Sequence, residues 1–258
     1  IQSSAPPRPE GVGRIFVGGV RRAKSHPKLQ DLRFSGNVFK VWSRGPRGPA
    51  REASPFFAKV RDRFGAPITT VESAYQFLKV YPRVTRQNQS KKQVGGRVPV
   101  WKWPAQVHLT NAETELSRDW YSWHSAGVSN PVPVRRPNGT IRSGGVPAFT
   151  LGLDGVTRHS YLEARQKVYV PLYVDSVYTL PVLDTMLGCL QKGEDILMLE
   201  PDGPDPVRYP HGLEMDSSSL VQSRDDLSVP FGHGYVLAWL LLERLSPLTL
   251  ETPVNSSE

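Results

Sequence analysis

Residues 67–82, Pro-Ile-Thr-Thr-Val-Glu-Ser-Ala-Tyr-Gln-Phe-Leu-Lys-Val-Tyr-Pro, constrain the fold more than any other stretch. Val71, Ala74, Tyr75, Leu78 and Tyr81 recur at the spacing of one helix face, which predicts a helix with a buried apolar side. Thr69 and Glu72 stand at capping-box separation: the hydroxyl is expected to accept from the Glu72 N–H, and the carboxylate to reach back to the Thr69 N–H. Pro82 has no N–H to give and marks the expected stop. Glu72, Gln76 and Lys79 then share a second face, spaced four and then three. Acid, amide and amine in one line can grip a polar ligand; capping alone is the plainer use of Glu72.

The run Thr70-Val71-Glu72-Ser73-Ala74-Tyr75-Gln76-Phe77-Leu78-Lys79 resembles the NADAR family, in which Ser/Thr-x-Glu-x-x-x-Gln opens a helix after a short strand. Upstream, Ser54-Pro55-Phe56 is similar to the family's Ser-Asn-Phe, with Pro55 in place of Asn. The family's later Trp-Gly and Asn-x-Leu-Gly signature has no clear counterpart, so the likeness is concentrated in residues 37–82. The resemblance implies hydrolysis of N-glycosidic bonds in phosphoribosylated or ADP-ribosylated compounds. It also implies that the helix Glu, here Glu72, is important for activity.

Such cleavage passes through an oxocarbenium-like state and needs a carboxylate to stabilise charge or activate water. Glu72 is the first candidate. Asp202, after an apolar strand in Glu200-Pro201-Asp202-Gly203, is the second, with a plain Asp-Gly turn as its alternative use. Trp42 is a candidate for stacking on a base, Arg44 for holding a phosphate in its planar fork, and Gln76 and Lys79 for binding the ligand's polar groups. His233, between Gly232 and Gly234, is either a polar ligand group or simply the start of the last helix. The six histidines form no His-x-x-x-His pair, and no metal or cofactor motif is present. A single cysteine, Cys189, excludes an internal disulfide framework and a cysteine zinc site.

Charge divides the chain of 258 residues. Residues 1–110 hold 21 Lys and Arg against 5 Asp and Glu, a net of +16, whereas the remainder holds 11 against 19, a net of −8. This asymmetry points to a polyanionic partner, nucleic acid foremost, with neutralisation between the two halves as the alternative. The candidate phosphate contacts are Arg21, Arg22, Lys24, Arg47, Arg51, Lys91, Lys92 and Arg97. Trp101 and Trp103 flank Lys102 and serve either base stacking or packing. From these features comes a second expectation, a catalytically inactive RNA-binding subunit of a large ribonucleoprotein, for example in a mitochondrion. The start at Ile1 fits a cleaved transit peptide; a cytoplasmic location is the other expectation. No apolar run approaches the ~20 residues of a membrane-spanning helix.

The expected organisation is a flexible arm over 1–12, a single α+β domain over 13–245 and a flexible tail over 246–258. Its architecture is expected to be a small mixed sheet surrounded by helices, with long irregular basic loops. Strands are expected at 14–20, 37–42 and 196–199, and a short helix at 116–123. Residues 127–155 read as a long irregular segment. A second capping box, Ser160 with Glu163, opens a helix expected to end at Pro171. A further helix stops at Gly193. The nearly all-apolar helix of 231–245 should be central, with the Glu72 helix packed near it.

Overall fold

The computed structural model describes residues 8–19, 34–41, 49–62, 64, 68–93, 96–110, 115–139, 145–205, 208–228 and 231–246, with backbone alone at 91–93 and 96–99. The elements in chain order begin with strands β1 (Ile15–Gly19) and β2 (Asn37–Lys40), a 3-10 turn (Pro49–Ala53), β3 (Lys59–Arg61) and β4 (Ile68–Thr70). Helix α1 (Val71–Phe77), β5 (Lys79–Val80), β6 (Gln87–Gln93), β7 (Gly96–Trp103) and α2 (Arg118–Val128) follow. Then come β8 (Phe149–Leu151), β9 (Arg158–His159), α3 (Tyr161–Ala164), a π-helical turn (Arg165–Tyr169), α4 (Val170–Val177) and α5 (Pro181–Gln191). The chain closes with β10 (Ile196–Glu200), β11 (Leu213–Glu214), α6 (Ser217–Asp225) and α7 (His233–Leu245).

The fold is α+β: a small mixed sheet with helices around it and further short sheets beside it. The main sheet has the order β11-β1-β10-β2. Strand β10 lies in the middle, parallel to both β1 and β2, while β11 is antiparallel to β1. Every residue of β1 and β10 is buried, which explains why both read as continuous apolar runs without alternation. The parallel register brings Gly19, Lys40 and Glu200 to one edge, the carboxyl ends of three strands. Ligands of open parallel sheets gather at such an edge.

Helix α7 is buried almost all round, as its sequence requires, and packs on α4, α5, α6, β1 and β10. The principal helical neighbours of α1 are instead α2 and α4, so α4 stands where α7 was expected. Gly127 of α2 makes the α1–α2 approach possible: a Cβ there would sit 2.0 Å from the Phe77 ring. Phe77, Trp101 and Trp123 meet at this point, with Phe77 centroids 4.9 Å and 4.5 Å from the two indoles.

Several expected boundaries move. Thr69 does not cap α1: it pairs with Val60 inside β4, whose last residue, Thr70, directly precedes the helix. Thr70 caps instead, accepting from the Ser73 N–H at 3.2 Å. Helix α1 ends at Phe77 rather than near Pro82, because Lys79 and Val80 pair with β8. The expected helix over 116–123 runs from Arg118 to Val128, with Ser117 as its cap. The capping box at Ser160 forms, but Pro171 does not stop the chain. The π-helical turn sends the Val170 N–H to Arg165 O and puts Pro171 in the first turn of α4, where its missing donor costs least. Most of the basic stretch 83–102 lies in the antiparallel strands β6 and β7, and part of 127–155 is the strand β8. Of the expected arm, residues 8–12 are described, with Val12 against the core. No helix among the described residues is long and apolar enough to cross a membrane.

Candidate active site

Strand pairing and capping build the site at the start of α1. The turn Ser54-Pro55-Phe56 lies directly under that start: the Glu72 N–H donates to Pro55 O at 2.9 Å and the Val71 N–H to Ala58 O at 3.0 Å. The two stretches that carry the family resemblance therefore meet in space. With Thr70 capping and its own N–H bound to Pro55, Glu72 has no capping duty. Its carboxylate points along the helix to Gln76, whose Nε2 donates to Oε1 at 3.1 Å. Lys79 Nζ in turn donates to Gln76 Oε1 at 2.8 Å and lies 4.7 Å from the centre of the Tyr75 ring. The orientation of the Gln76 amide follows from its partners, since a carboxylate only accepts and an ammonium only donates. Although Lys79 has left the helix, the expected line of acid, amide and amine is intact.

Burial tunes both ends of this relay. Glu72 is buried, and loss of hydration raises its pKa above the ordinary carboxylate value. Lys79, Gln76 and Arg135 oppose that rise, and the charge of Asp202 adds to it. Burial lowers the Lys79 ammonium to about 8, with Glu72 opposing. A better base and a better acid thus stand on either side of one amide, as general acid–base chemistry near neutrality requires.

Asp202 reaches this neighbourhood from the carboxyl end of β10. It pairs with Arg135 at 3.2 Å, and both charges act on Glu72. Arg135 was not singled out in the sequence; it sits in the Gly/Pro-rich stretch 127–155, where no periodicity marks it. Tyr169, delivered by the π-helical turn, stands 5.1 Å from Tyr75 and 6.1 Å from Tyr173, centre to centre. Its phenol lies within the electrostatic reach of both Glu72 and Glu200, and burial raises its pKa well above the usual value.

Glu200 is the second residue that the sequence concealed, because it ends an apolar strand. Its side chain is fully buried. His233 Nδ1 approaches Oε2 at 3.0 Å, and His233 Nε2 meets the carbonyl of Val41. Both ring nitrogens face oxygen atoms, an arrangement that favours the protonated ring. Burial works against that charge, yet Glu200, the Val41 carbonyl and Asp202 together outweigh it and the His233 pKa is raised. Gly232 makes room for the pair: a Cβ there would lie 2.2 Å from Glu200 Oε2.

The other expected contacts divide. Trp42, Arg44, Arg21, Arg22, Lys24 and Arg47 lie outside the described residues. Trp42 directly follows Val41, the residue bound by His233. Arg51 stacks its guanidinium on Phe57 at 4.2 Å and is half-buried. Lys91, Lys92 and Arg97 fall on the paired strands β6 and β7, with Lys92 opposite Arg97. Trp101 is buried and stacked on Trp103 at 5.3 Å, and the two indole N–H groups donate to Pro137 O and Gln106 Oε1. These tryptophans pack, and Trp101 is not open to a base. A small cavity on the side of α1 lined by Asp62, Phe64, Ala74 and Leu78 admits about one water molecule and adds no chemistry to Glu72. Among the described residues no cluster of His, Cys, Asp and Glu is suited to a metal ion. Comparison with protein-family models, curated proteins and solved structures gives no match.

Proposed function

We propose that the chain is a NADAR-like N-glycosidase acting on a ribosylated nucleotide-type compound. The observation that carries this reading is the Glu72–Gln76–Lys79 relay, with its two ends shifted toward neutrality and the Asp202–Arg135 pair acting on it. Glu72 takes a proton from the attacking water. The water oxygen bonds to the anomeric carbon as the C–N bond breaks, and Lys79 gives its proton to the departing nitrogen. Asp202 lends negative charge to the oxocarbenium-like state. Arg135 is half-exposed and offers its planar fork to a phosphate. The meeting of Ser54-Pro55-Phe56 with the start of α1 further supports the resemblance.

The test is release of free base from a panel of phosphoribosylated and ADP-ribosylated nucleotides, followed by chromatography. Glu72→Gln should cut turnover by about a thousandfold, the range of a lost general base, and leave the fold intact. Full activity in Glu72→Gln, or no hydrolysis of any panel member by the native chain, would overturn the reading.

A second reading, an RNA-binding subunit of a ribonucleoprotein, is favoured by the net +16 of residues 1–110. Its test is a salt titration with single-stranded RNA, where the expected log–log slope is about −0.7 per neutralised phosphate. No binding at ~50 mM salt removes it.

A further inference from the structure

The His233–Glu200 pair is the most deeply buried charged pair near the carboxyl edge of the sheet, and the hydrolytic roles above make no use of it. Each partner belongs to a different element. Glu200 ends β10, the central strand, and Pro201 and Asp202 follow it at once. His233 opens α7, and its other nitrogen holds Val41, the residue after β2. One ring therefore ties the ends of two parallel strands to the start of the most buried helix. The fixed φ of Pro201 leaves little freedom between Glu200 and Asp202.

Two routes lead from this pair to Glu72. Asp202 acts electrostatically on both His233 and Glu72. Rings also connect them: His233 stands 5.8 Å from Tyr173, Tyr173 stacks on Tyr169, Tyr169 meets Tyr75, and Lys79 sits over Tyr75. The pair is closely packed: Gly232 lies directly on the carboxylate, and a Cβ at Gly234 would lie 3.1 Å from Oε1. The pair is thus built to hold neighbours in place.

We propose that His233 is a positioning residue of the Glu72 site, fixing the Asp202 turn through Glu200. This proposal rests on the reading of Glu72 as part of a hydrolytic centre. The groups facing His233 are Glu200 and Asp202 from β10 and its turn, Tyr173 from α4 and the Val41 carbonyl.

Three substitutions separate the contacts. His233→Asn keeps an amide where Nδ1 meets Glu200. His233→Gln keeps one where Nε2 meets Val41. Glu200→Gln removes the buried negative charge. For each, the Glu72 carboxyl is titrated by carbon NMR in the full chain, and kcat and KM are measured on an ADP-ribosylated nucleotide. In Glu200→Gln and His233→Gln, the Glu72 pKa should fall toward its ordinary value, because burial and Asp202 both raise it and both are loosened. Turnover should fall about a hundredfold, the effect of displacing reacting groups by ~1 Å, with KM changed less. His233→Asn should retain most of the native value of each.

An unchanged Glu72 titration in folded Glu200→Gln and His233→Gln overturns the proposal, whatever the activity. Failure of all three variants to fold overturns it too, since the pair is then a purely structural element. If the native chain hydrolyses no ribosylated nucleotide, the glycosidase reading falls, and the Glu72 titration still decides whether His233 positions that residue.

Discussion

Among the described residues, two buried histidine–carboxylate pairs have mirrored chemistry. In one, His233 Nδ1 faces Glu200 and Nε2 faces the Val41 carbonyl. In the other, His124 Nε2 faces Asp62 at 3.1 Å and Nδ1 faces the Phe77 carbonyl at 2.9 Å. Their surroundings differ. His124 is stacked on Trp120 at 5.0 Å and set edge-on to Phe64 at 4.8 Å, within the aromatic wall behind α1. His233 lies on a helix that carries none of the proposed site's other residues, yet its partner Glu200 is two residues from Asp202. The same pairing thus anchors the last carbonyl of α1 in one place and the Asp202 turn in the other. What a buried pair can do is set by what lies next to its carboxylate, not by the pair itself.

The largest effect expected from breaking this symmetry is on stability. Asp62→Ala leaves the buried Nε2 of His124 without this partner and should cost about 1–3 kcal/mol, as an unsatisfied buried polar group does. Denaturant unfolding checks this. Among molecules that remain folded, kcat should change far less than in Glu200→Gln. Equal losses of turnover in both variants would erase the distinction between the pairs.

A pH series sharpens the comparison next. The folded pKa of His233 is raised, so the pair's stabilisation is present in full below the unfolded value of about 6.5. It is lost as pH rises through the folded pKa. His233→Asn should flatten this part of the stability profile, measured by thermal unfolding at constant ionic strength. A slope unchanged by His233→Asn would mean that other groups carry it.

The sequence makes the parallel strands and the last helix legible, because β1, β10 and α7 are apolar enough to be buried whatever surrounds them. It also makes the Glu72–Gln76–Lys79 line legible, although the helix it assumed is too long. Leaving the helix at Phe77 did not separate Lys79 from Gln76, since the side chain reaches back 2.8 Å from an adjacent strand. What stays hidden depends on distant partners. Thr69 and Thr70 are equivalent as caps until pairing with β3 makes Thr70 the last strand residue before the helix. Glu200 looks like the polar end of an apolar strand until α7 covers it. Arg135 stands in a segment with no period, and only the fold brings it to Asp202.

Turnover against pH tests the relay that only the His233 side of the molecule contains. The proposed hydrolysis would need Glu72 ionised and Lys79 protonated, so the profile should be bell-shaped. Its falling limb should lie near the Lys79 pKa of about 8. Lys79→Arg should move that limb upward, because a guanidinium stays charged across the range. A falling limb that does not respond to Lys79→Arg would take the proton-donor role from Lys79.

The smallest expected effect concerns the rising limb, and it has two opposite signs. Arg135 lowers the Glu72 pKa and Asp202 raises it. Arg135→Gln should therefore shift the rising limb to higher pH, and Asp202→Asn should shift it to lower pH. Asp202→Asn should also reduce turnover, since it removes charge that the oxocarbenium-like state needs. Arg135 is half-exposed, so its shift should be a fraction of a unit and should shrink between low salt and ~0.15 M, where the screening length is about 8 Å. The more buried influence of Asp202 should persist. Substitution of Asp62 changes a pair facing the other side of α1 and should leave the rising limb in place in the molecules that stay folded. If Asp62→Ala moves that limb as far as Asp202→Asn does, the two histidine–carboxylate pairs both act on Glu72, and their separation into an anchor of the wall and an anchor of the site does not hold.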